Sequence, residues 1–265
     1  DAYFKQPRKV GVQLYTLRDQ LQKDLEGVIA AVAQAGFQEV ETFNYANRKH
    51  SGLAVKDFDA LLKKNGLTTP SGHYGIRSFL VENNDDVWKW AIEDAKMLGQ
   101  KYMVIPYLQV EDRKTLDAYK KIAARLNRGG ELCKQSGMQI AYHNHDFEFH
   151  SLEGSTGMDV LLKETDKSLV QFEMDIYWVS YAGKDPIEII KKNPGRFPLW
   201  HVKDMDNTPQ KRFTEVGNGV INFDKIFDCQ KKAGLKHFFV EQDVSPNPLE
   251  SIKTSINYLR KDIVK

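Results

Sequence analysis

The stretch AYHNHDFEF at residues 141–149 carries two histidines and two acids within six positions, directly after the mainly apolar segment MQI. Neutral imidazoles and carboxylates are the usual ligands of divalent metals, and an imidazole also suits acid/base catalysis at neutral pH. A solvated loop could carry the same residues without any function. The stretch therefore raises two hypotheses: a metal ligand in Glu148 or His143, and an acid/base catalyst in His145 or His143.

Similar groups stand at the ends of three later apolar stretches. Asp175 ends VQFEMD, His201 lies within PLWHVKD, and Glu241 follows HFFV. Buried charges cost on the order of several kcal/mol unless they are paired or bound to a metal, so this pattern is improbable as core filling. It predicts one divalent metal ion, which is Mn, Mg, Co or Zn. The predicted ligands are Glu148, Asp175, His201 and Glu241.

Each of these residues also has an explanation without function. Asp175 could cap a turn, and His201 could be a core histidine that is hydrogen-bonded to a carbonyl group. Glu241 could form an ion pair with a buried lysine, and Glu148 could simply be solvated in a loop. The metal hypothesis depends on all four groups meeting at one place.

The order of the predicted elements brings them together. Eight strands are predicted at 9–14, 37–43, 67–74, 102–106, 138–145, 170–176, 198–204 and 237–243. The helices between and after them are predicted at 25–36, 55–66, 85–99, about 113–136, near 157–165, from 185, near 222–233 and at 249–261. Eight strand–helix units in 265 residues predict a single (β/α)8 barrel domain over residues 1–265, in which strand ends converge at one mouth. An open doubly wound sheet is the alternative, but GVQLYTLRD has no glycine-rich turn after the first strand.

The composition argues against several classes of protein. Apolar residues make up 41% of the chain, and 38 basic side chains nearly balance 36 acidic ones. The formal charge of +2 predicts no nucleic-acid partner. No apolar stretch approaches the ~20 residues of a membrane helix, so no membrane association is expected. The chain begins at Asp1, which leaves the localisation open between the cytoplasm and, if a secretion signal has been removed, the periplasm.

Eight segments spread over nearly the whole chain carry a family resemblance. They are GVQLYTLRD, AGFQEVETF, SGHYG, AYHNHDFEF, MDIYWVSYAG, HVKDMD, FTEVGNGVINF and VEQD, in this order. Together they resemble the sugar phosphate isomerase/epimerase superfamily with the xylose-isomerase-like barrel, closest to its branch of inosose dehydratases and keto-glycoside-cleaving enzymes. The resemblance implies a metal site of four side chains from strands 5 to 8. Asp175, His201 and Glu241 match its last three ligands.

The position of the first ligand departs from the family pattern. Many epimerases place a glutamate in a sequence like E-N-H near the end of strand 5, where this chain has His143-Asn144-His145. The nearest carboxylate is Glu148, and His143 is the alternative ligand. Because that glutamate is also one of two acid/base groups in the epimerases, the departure resembles the dehydratase-like branch, in which a histidine moves the proton.

These residues predict chemistry next to a carbonyl group. A metal in the barrel mouth would polarise a keto sugar and acidify the adjacent C–H, with His145, His143 or Glu241 as the base. Return of the proton through an enediolate-like intermediate makes an isomerase or epimerase. Loss of a neighbouring substituent makes a lyase or dehydratase that releases water or an aglycone from an inosose or a 3-keto-sugar. Candidate substrate-binding residues are His73, Lys203, Tyr15 and Trp178.

Other functions and partners are weighed against this hypothesis. A related barrel family cleaves abasic DNA, which would need more metal ligands and a basic groove. A non-catalytic sugar-binding barrel would have no reason to keep Asp175, His201 and Glu241. The expected partner is a small-molecule carbohydrate, unphosphorylated because the glycines of VGNGVINF are only a weak phosphate-loop signal. A homodimer is left open.

Overall fold

The computed structural model of the chain describes residues 8–264, so residues 1–7 and Lys265 of the predicted domain lie outside the described part. Eight parallel strands form a closed barrel, and the predicted (β/α)8 fold is confirmed. The strands are β1 (Gly11–Gln13), β2 (Glu39–Thr42), β3 (Thr68–His73), β4 (Tyr102–Ile105), β5 (Gln139–His143), β6 (Val170–Asp175), β7 (Leu199–Val202) and β8 (His237–Val240). Each strand pairs with its neighbours in sequence order, and β8 pairs with β1 to close the barrel.

Helices of very different length surround the barrel. They are α1 (Arg18–Lys23), α2 (Leu25–Gln34), α3 (Val55–Lys64), α4 (Arg77–Glu82), α5 (Asp85–Met97), α6 (Leu116–Gln135), α7 (Gly157–Glu164), α8 (Ile176–Tyr181), α9 (Pro186–Lys192), α10 (Phe223–Phe227), α11 (Gln230–Ala233) and α12 (Pro248–Tyr258). The sequence did not predict α1, α4 and α8, because one or two turns are too short for a helical period to show. The helix predicted near 222–233 is two helices, α10 and α11. Within residues 8–264, no helix combines the length and the apolar character that crossing a membrane requires.

Short antiparallel sheets of two or three strands follow three of the barrel strands. They involve residues 45–54, 151–156 and 204–214. The third explains a boundary error, because the strand predicted to run to 204 ends at Val202. Asp204 pairs instead with Thr214 in the hairpin. Lys203 therefore stands between the barrel strand and the hairpin.

The apolar interior of the barrel is small and lies directly below the site. Its members are Tyr102, Val104, Ala141, Leu199 and Phe239, separate from the large layer between strands and helices. Residues two apart along a strand point to the same face of a sheet. His143, His201 and Glu241 stand two positions after Ala141, Leu199 and Phe239, so the strands direct them into the barrel above this apolar layer.

Candidate active site

Four side chains from the C-terminal ends of β5 to β8 converge in the barrel mouth. His143, Asp175, His201 and Glu241 each offer a ligand atom within 4.8 Å of the others. The Nε2 atom of His143 lies 3.0 Å from Asp175 Oδ2, and the Nδ1 atom of His201 lies 3.1 Å from Glu241 Oε1. All four side chains are buried. Two imidazoles and two carboxylates form a donor set that suits Zn, Mn or Co.

Both histidines are oriented as metal ligands usually are. The Nδ1 atom of His143 lies 3.1 Å from the carbonyl oxygen of Pro106, which can only accept, so Nδ1 carries hydrogen and Nε2 faces the site. The Nε2 atom of His201 lies 2.6 Å from Glu41 Oε1 and donates to it, so Nδ1 faces the site. Metal-bound histidines commonly donate their second ring nitrogen to a carbonyl or carboxylate in this way. The residues present therefore fit a divalent metal.

Asp175 combines a structural task with its place in this group. Its Oδ1 atom accepts the backbone N–H of Trp178 at 3.0 Å and caps helix α8. Its Oδ2 atom faces His143 and His201. Burial raises the pKa of Asp175, but the ammonium of Lys203 and the two histidines together outweigh burial and hold this pKa well below its usual range. Asp175 can thus cap helix α8 with one oxygen and bind a metal with the other.

Glu148 lies outside this group and supports the turn after β5. Its carboxylate accepts the hydroxyl of Tyr142 at 2.7 Å and the backbone N–H of His145 at 2.9 and 3.1 Å. Burial raises the pKa of Glu148 to about 7, although these hydrogen bonds oppose the change. Since His143 occupies the position expected for the first ligand, the geometry favours His143 over Glu148. The role of Glu148 as a ligand stays a prediction.

His145 lies beside the ligands and has a nitrogen without a partner. Its Nδ1 atom is buried and forms no hydrogen bond within the described residues. Its ring stacks on Phe147 at 5.6 Å, meets Tyr107 edge-on at 5.3 Å, and lies 4.9 Å from the ring of His143. Burial, strengthened by His143, lowers the pKa of His145 well below its usual value. His145 is therefore a neutral imidazole.

A cavity of about 410 Å³ opens in front of these groups. Its lining residues are Tyr15, Phe43, His73, Pro106, Tyr107, His143, His145, Glu241 and Asp243. Of the four predicted substrate-binding residues, Tyr15 and His73 line this cavity. Trp178 lies behind it, 5.8 Å from the ring of His145, and Lys203 is fully buried.

A second layer of charged groups lies beneath the ligands. The Nε2 atom of His73 lies 2.7 Å from Glu173 Oε1 and 2.9 Å from Glu41 Oε1, and His201 Nε2 contacts the same two oxygens. Burial lowers the pKa of His73, but Glu41 and Glu173 outweigh it and raise this pKa to about 9. Gln13 donates to Glu41 at 2.8 Å. This layer fixes the ring of His201, and the cationic His73 balances part of its negative charge.

A family model described as xylose isomerase-like TIM barrel matches residues 29–262.

The chain belongs to this family.

Similar proteins support the sequence resemblance. An inosose dehydratase from Geobacillus thermodenitrificans is 27% identical over 268 residues, which cover 89% of each sequence. The match to an inosose dehydratase from Bacillus cereus is 28% identical and covers 57% of each sequence. A crystal structure of a sugar phosphate isomerase/epimerase from Parabacteroides distasonis has a TM-score of 0.87 and 29% identity, covering 100% of this chain and 98% of that one. The resemblance to isomerases, epimerases and inosose dehydratases is thereby confirmed.

Three residues of the site were not assigned a role from the sequence, and they are Glu41, Glu173 and Asp243. Glu41 and Glu173 stood at predicted strand ends, and their place beneath His201 depends on contacts between distant strands, such as Glu41 with His201. Asp243 contacts Lys203 at 2.6 Å. The alternation of inward positions gave a signal for Glu173 and Asp243, because they lie two residues from Asp175 and Glu241.

Proposed function

We propose that this protein is an enzyme that removes the proton next to the carbonyl group of a keto sugar, with a divalent metal held by His143, Asp175, His201 and Glu241. One observation carries the proposal. The neutral His145 lines the same cavity as His143 and Glu241. A base and a metal-ligand set at one cavity are what proton abstraction beside a carbonyl requires.

The chain's own residues supply the geometry and the proton transfer. When bound, the metal supplies Lewis acidity, which polarises the carbonyl oxygen of the substrate and acidifies the adjacent C–H. His145 takes the proton when the substrate brings that C–H within about 3 Å of its nitrogen. The aromatic rings of Tyr15 and Tyr107 at the cavity wall suit the apolar face of a sugar.

Elimination is the outcome that these acid/base groups favour. Epimerisation needs a proton donor on the opposite face, and Glu241 is the candidate. Burial raises the pKa of Glu241, but Lys203 and His201 outweigh burial and hold it well below its usual range. Glu241 therefore stays a carboxylate without a proton to give.

In elimination, His145 alone handles the proton. The electron pair of the broken C–H bond becomes a carbon–carbon double bond, and the β-substituent leaves with its own bonding electrons. His145 then gives the proton to the leaving oxygen, so that water or an aglycone alcohol departs and an unsaturated ketone remains. Inosose dehydratase relatives support this outcome. The isomerase/epimerase reaction is the second candidate, supported by the structural neighbour from Parabacteroides distasonis.

The loop after β7 supports an unphosphorylated substrate. The backbone N–H groups of Gly217, Gly219 and Ile221 donate to the carboxylate of Asp204 at 3.0, 3.1 and 3.2 Å. A phosphate bound at this position of a barrel would need these same backbone N–H groups. Because an internal carboxylate already occupies them, a neutral sugar suits the site better.

Proton exchange in D2O tests the proposal. Mn-loaded protein is incubated with inososes and 3-keto-glycosides, with C–H exchange followed by NMR and enone formation by ultraviolet absorbance. His145→Gln should slow exchange by about 10²- to 10⁴-fold while metal content is kept. His150→Gln is the matched control, because His150 lies in the same loop with its side chain 63% exposed.

The outcomes separate the candidate functions. Exchange with enone formation supports elimination, and exchange that yields only an isomer supports the second candidate. Undiminished exchange in His145→Gln would show that another group is the base. Binding without exchange of any substrate would favour the sugar-binding barrel.

A further inference from the structure

Lys203 is a fully buried lysine whose ammonium group lies against three carboxylates. Its Nζ atom is 2.6 Å from Asp243 Oδ1, 2.7 Å from Glu241 Oε1 and 3.0 Å from Asp175 Oδ2. The contacts to Glu241 and Asp243 are hydrogen bonds, and the contact to Asp175 is an ion pair. The ammonium of Lys203 is therefore directed at these carboxylates, and its role as a substrate-binding residue stays a prediction.

Two of these carboxylates, Asp175 and Glu241, also belong to the group of potential metal ligands. Asp175 Oδ1 is bonded to the backbone N–H of Trp178, which leaves Oδ2 for the ligand group. Glu241 Oε1 faces both Lys203 and His201 Nδ1. The ammonium and a metal ion would thus draw on the same two carboxylates.

The surroundings of Lys203 keep its charge in place. The rings of Tyr177, Trp178 and Phe213 lie 5.8, 5.8 and 5.5 Å from Nζ, within the range of cation–π attraction. The side chain has no exposed surface. The ammonium is consequently enclosed between these rings and the carboxylates.

We propose that Lys203 is an internal counter-ion of the metal site, a positioning residue that holds Asp175 and Glu241 together in the metal-free protein and weakens the binding of the metal. This inference rests on the metal site of the proposed function. Without the ammonium, three neighbouring carboxylates would repel one another, and a metal ion would meet a more negative site with no cation beside it. Lys203 therefore lowers the metal affinity of the site and stabilises the folded metal-free protein.

Metal titration of the whole chain tests this role. Isothermal titration of Mn²⁺ into metal-free wild type and Lys203→Met should show binding at least about tenfold tighter in the variant. The melting temperature of metal-free Lys203→Met should be lower than that of wild type, and its rise on adding Mn²⁺ should be larger. Lys211→Met is the matched control, because Lys211 also lies at the mouth but donates to the carbonyl oxygen of Tyr181.

Asp243→Asn provides a second test with the opposite sign. Asp243 binds Lys203 but lies outside the group of potential ligands. Its replacement removes a negative charge and leaves the ammonium bound to Asp175 and Glu241 alone, so Mn²⁺ should bind more weakly. A variant that merely loosens the site would weaken binding in both cases.

Each outcome supports or refutes the proposed role of Lys203 as a counter-ion. Tighter binding in Lys203→Met and weaker binding in Asp243→Asn support the counter-ion, whereas equal or weaker binding in Lys203→Met overturns it. If Lys203→Met does not fold, unchanged or tighter binding in Asp243→Asn overturns it. Mn²⁺ bound by wild type but unaffected by either variant refutes this inference alone. Mn²⁺ bound by neither wild type nor Lys203→Met refutes the proposed metal site as well.

Discussion

Replacing Glu148 with glutamine separates two roles, that of a metal ligand and that of a buried structural acid. The carboxylate of Glu148 is fully buried and accepts the hydroxyl of Tyr142 and the backbone N–H of His145. Glutamine keeps one oxygen for these donors and removes the charge. If Glu148 is structural, the variant should bind Mn²⁺ as tightly as wild type.

Glu148 should also make the free energy of unfolding depend on pH. Burial raises the pKa of Glu148 from its ordinary value of 4.5 to about 7. Between these values the unfolded chain loses the proton while the folded chain keeps it. The folded state then binds more protons, so the free energy of unfolding falls as the pH rises through this window. At about 1.4 kcal/mol per pKa unit, the total loss is roughly 3 kcal/mol above pH 7.

Urea unfolding of the metal-free protein at about pH 5 and pH 8 measures this loss. Wild type should lose roughly 2 to 3 kcal/mol relative to Glu148→Gln between the two values, since glutamine does not titrate there. Parallel pH curves for the two proteins would refute the assignment of a buried, protonated Glu148. Loss of bound Mn²⁺ in the variant would restore Glu148 as a ligand.

Two further predictions concern the neighbours of the site. His143→Asn should lower Mn²⁺ affinity by about 100-fold or more, because it removes a ligand, whereas His150→Asn should leave it unchanged; equal affinity in both variants by isothermal titration would exclude His143. Asp204→Asn should destabilise the fold by about 1–3 kcal/mol in urea unfolding, since charged hydrogen bonds to Gly217 and Gly219 are lost; unchanged stability would show that this loop is held by other contacts.

The barrel was predictable because each strand carries its own local signal. Short apolar stretches between amphipathic ones fixed the positions of the eight strands, and the closed barrel followed from their number. The ends of the strands were harder to predict, because a polar residue that is buried just beyond a strand can be taken from the sequence as part of that strand. Lys203 is such a case, since it is buried by ion pairs beyond the end of β7.

The ligand group was predictable to the extent that it follows the inward face of the strands. His201 and Glu241 stand two residues after Leu199 and Phe239, and both were predicted. The same spacing from Ala141 would have favoured His143 over Glu148. The sequence pattern of acids alone could not show that the oxygens of Glu148 turn away to Tyr142, because that depends on side-chain direction.

The charges in the two layers give an independent reason to expect a bound cation. In the lower layer, two carboxylates face two histidines through contacts of 2.6 to 2.9 Å; these residues are Glu41, Glu173, His73 and His201. In the upper layer, three carboxylates face one ammonium; these residues are Asp175, Glu241, Asp243 and Lys203. When His201 acts as an uncharged ligand, His73 is the cation that remains in the lower layer, so carboxylates outnumber cations in both layers. A surplus of buried negative charge is costly, and a metal ion held by Asp175 and Glu241 would offset it.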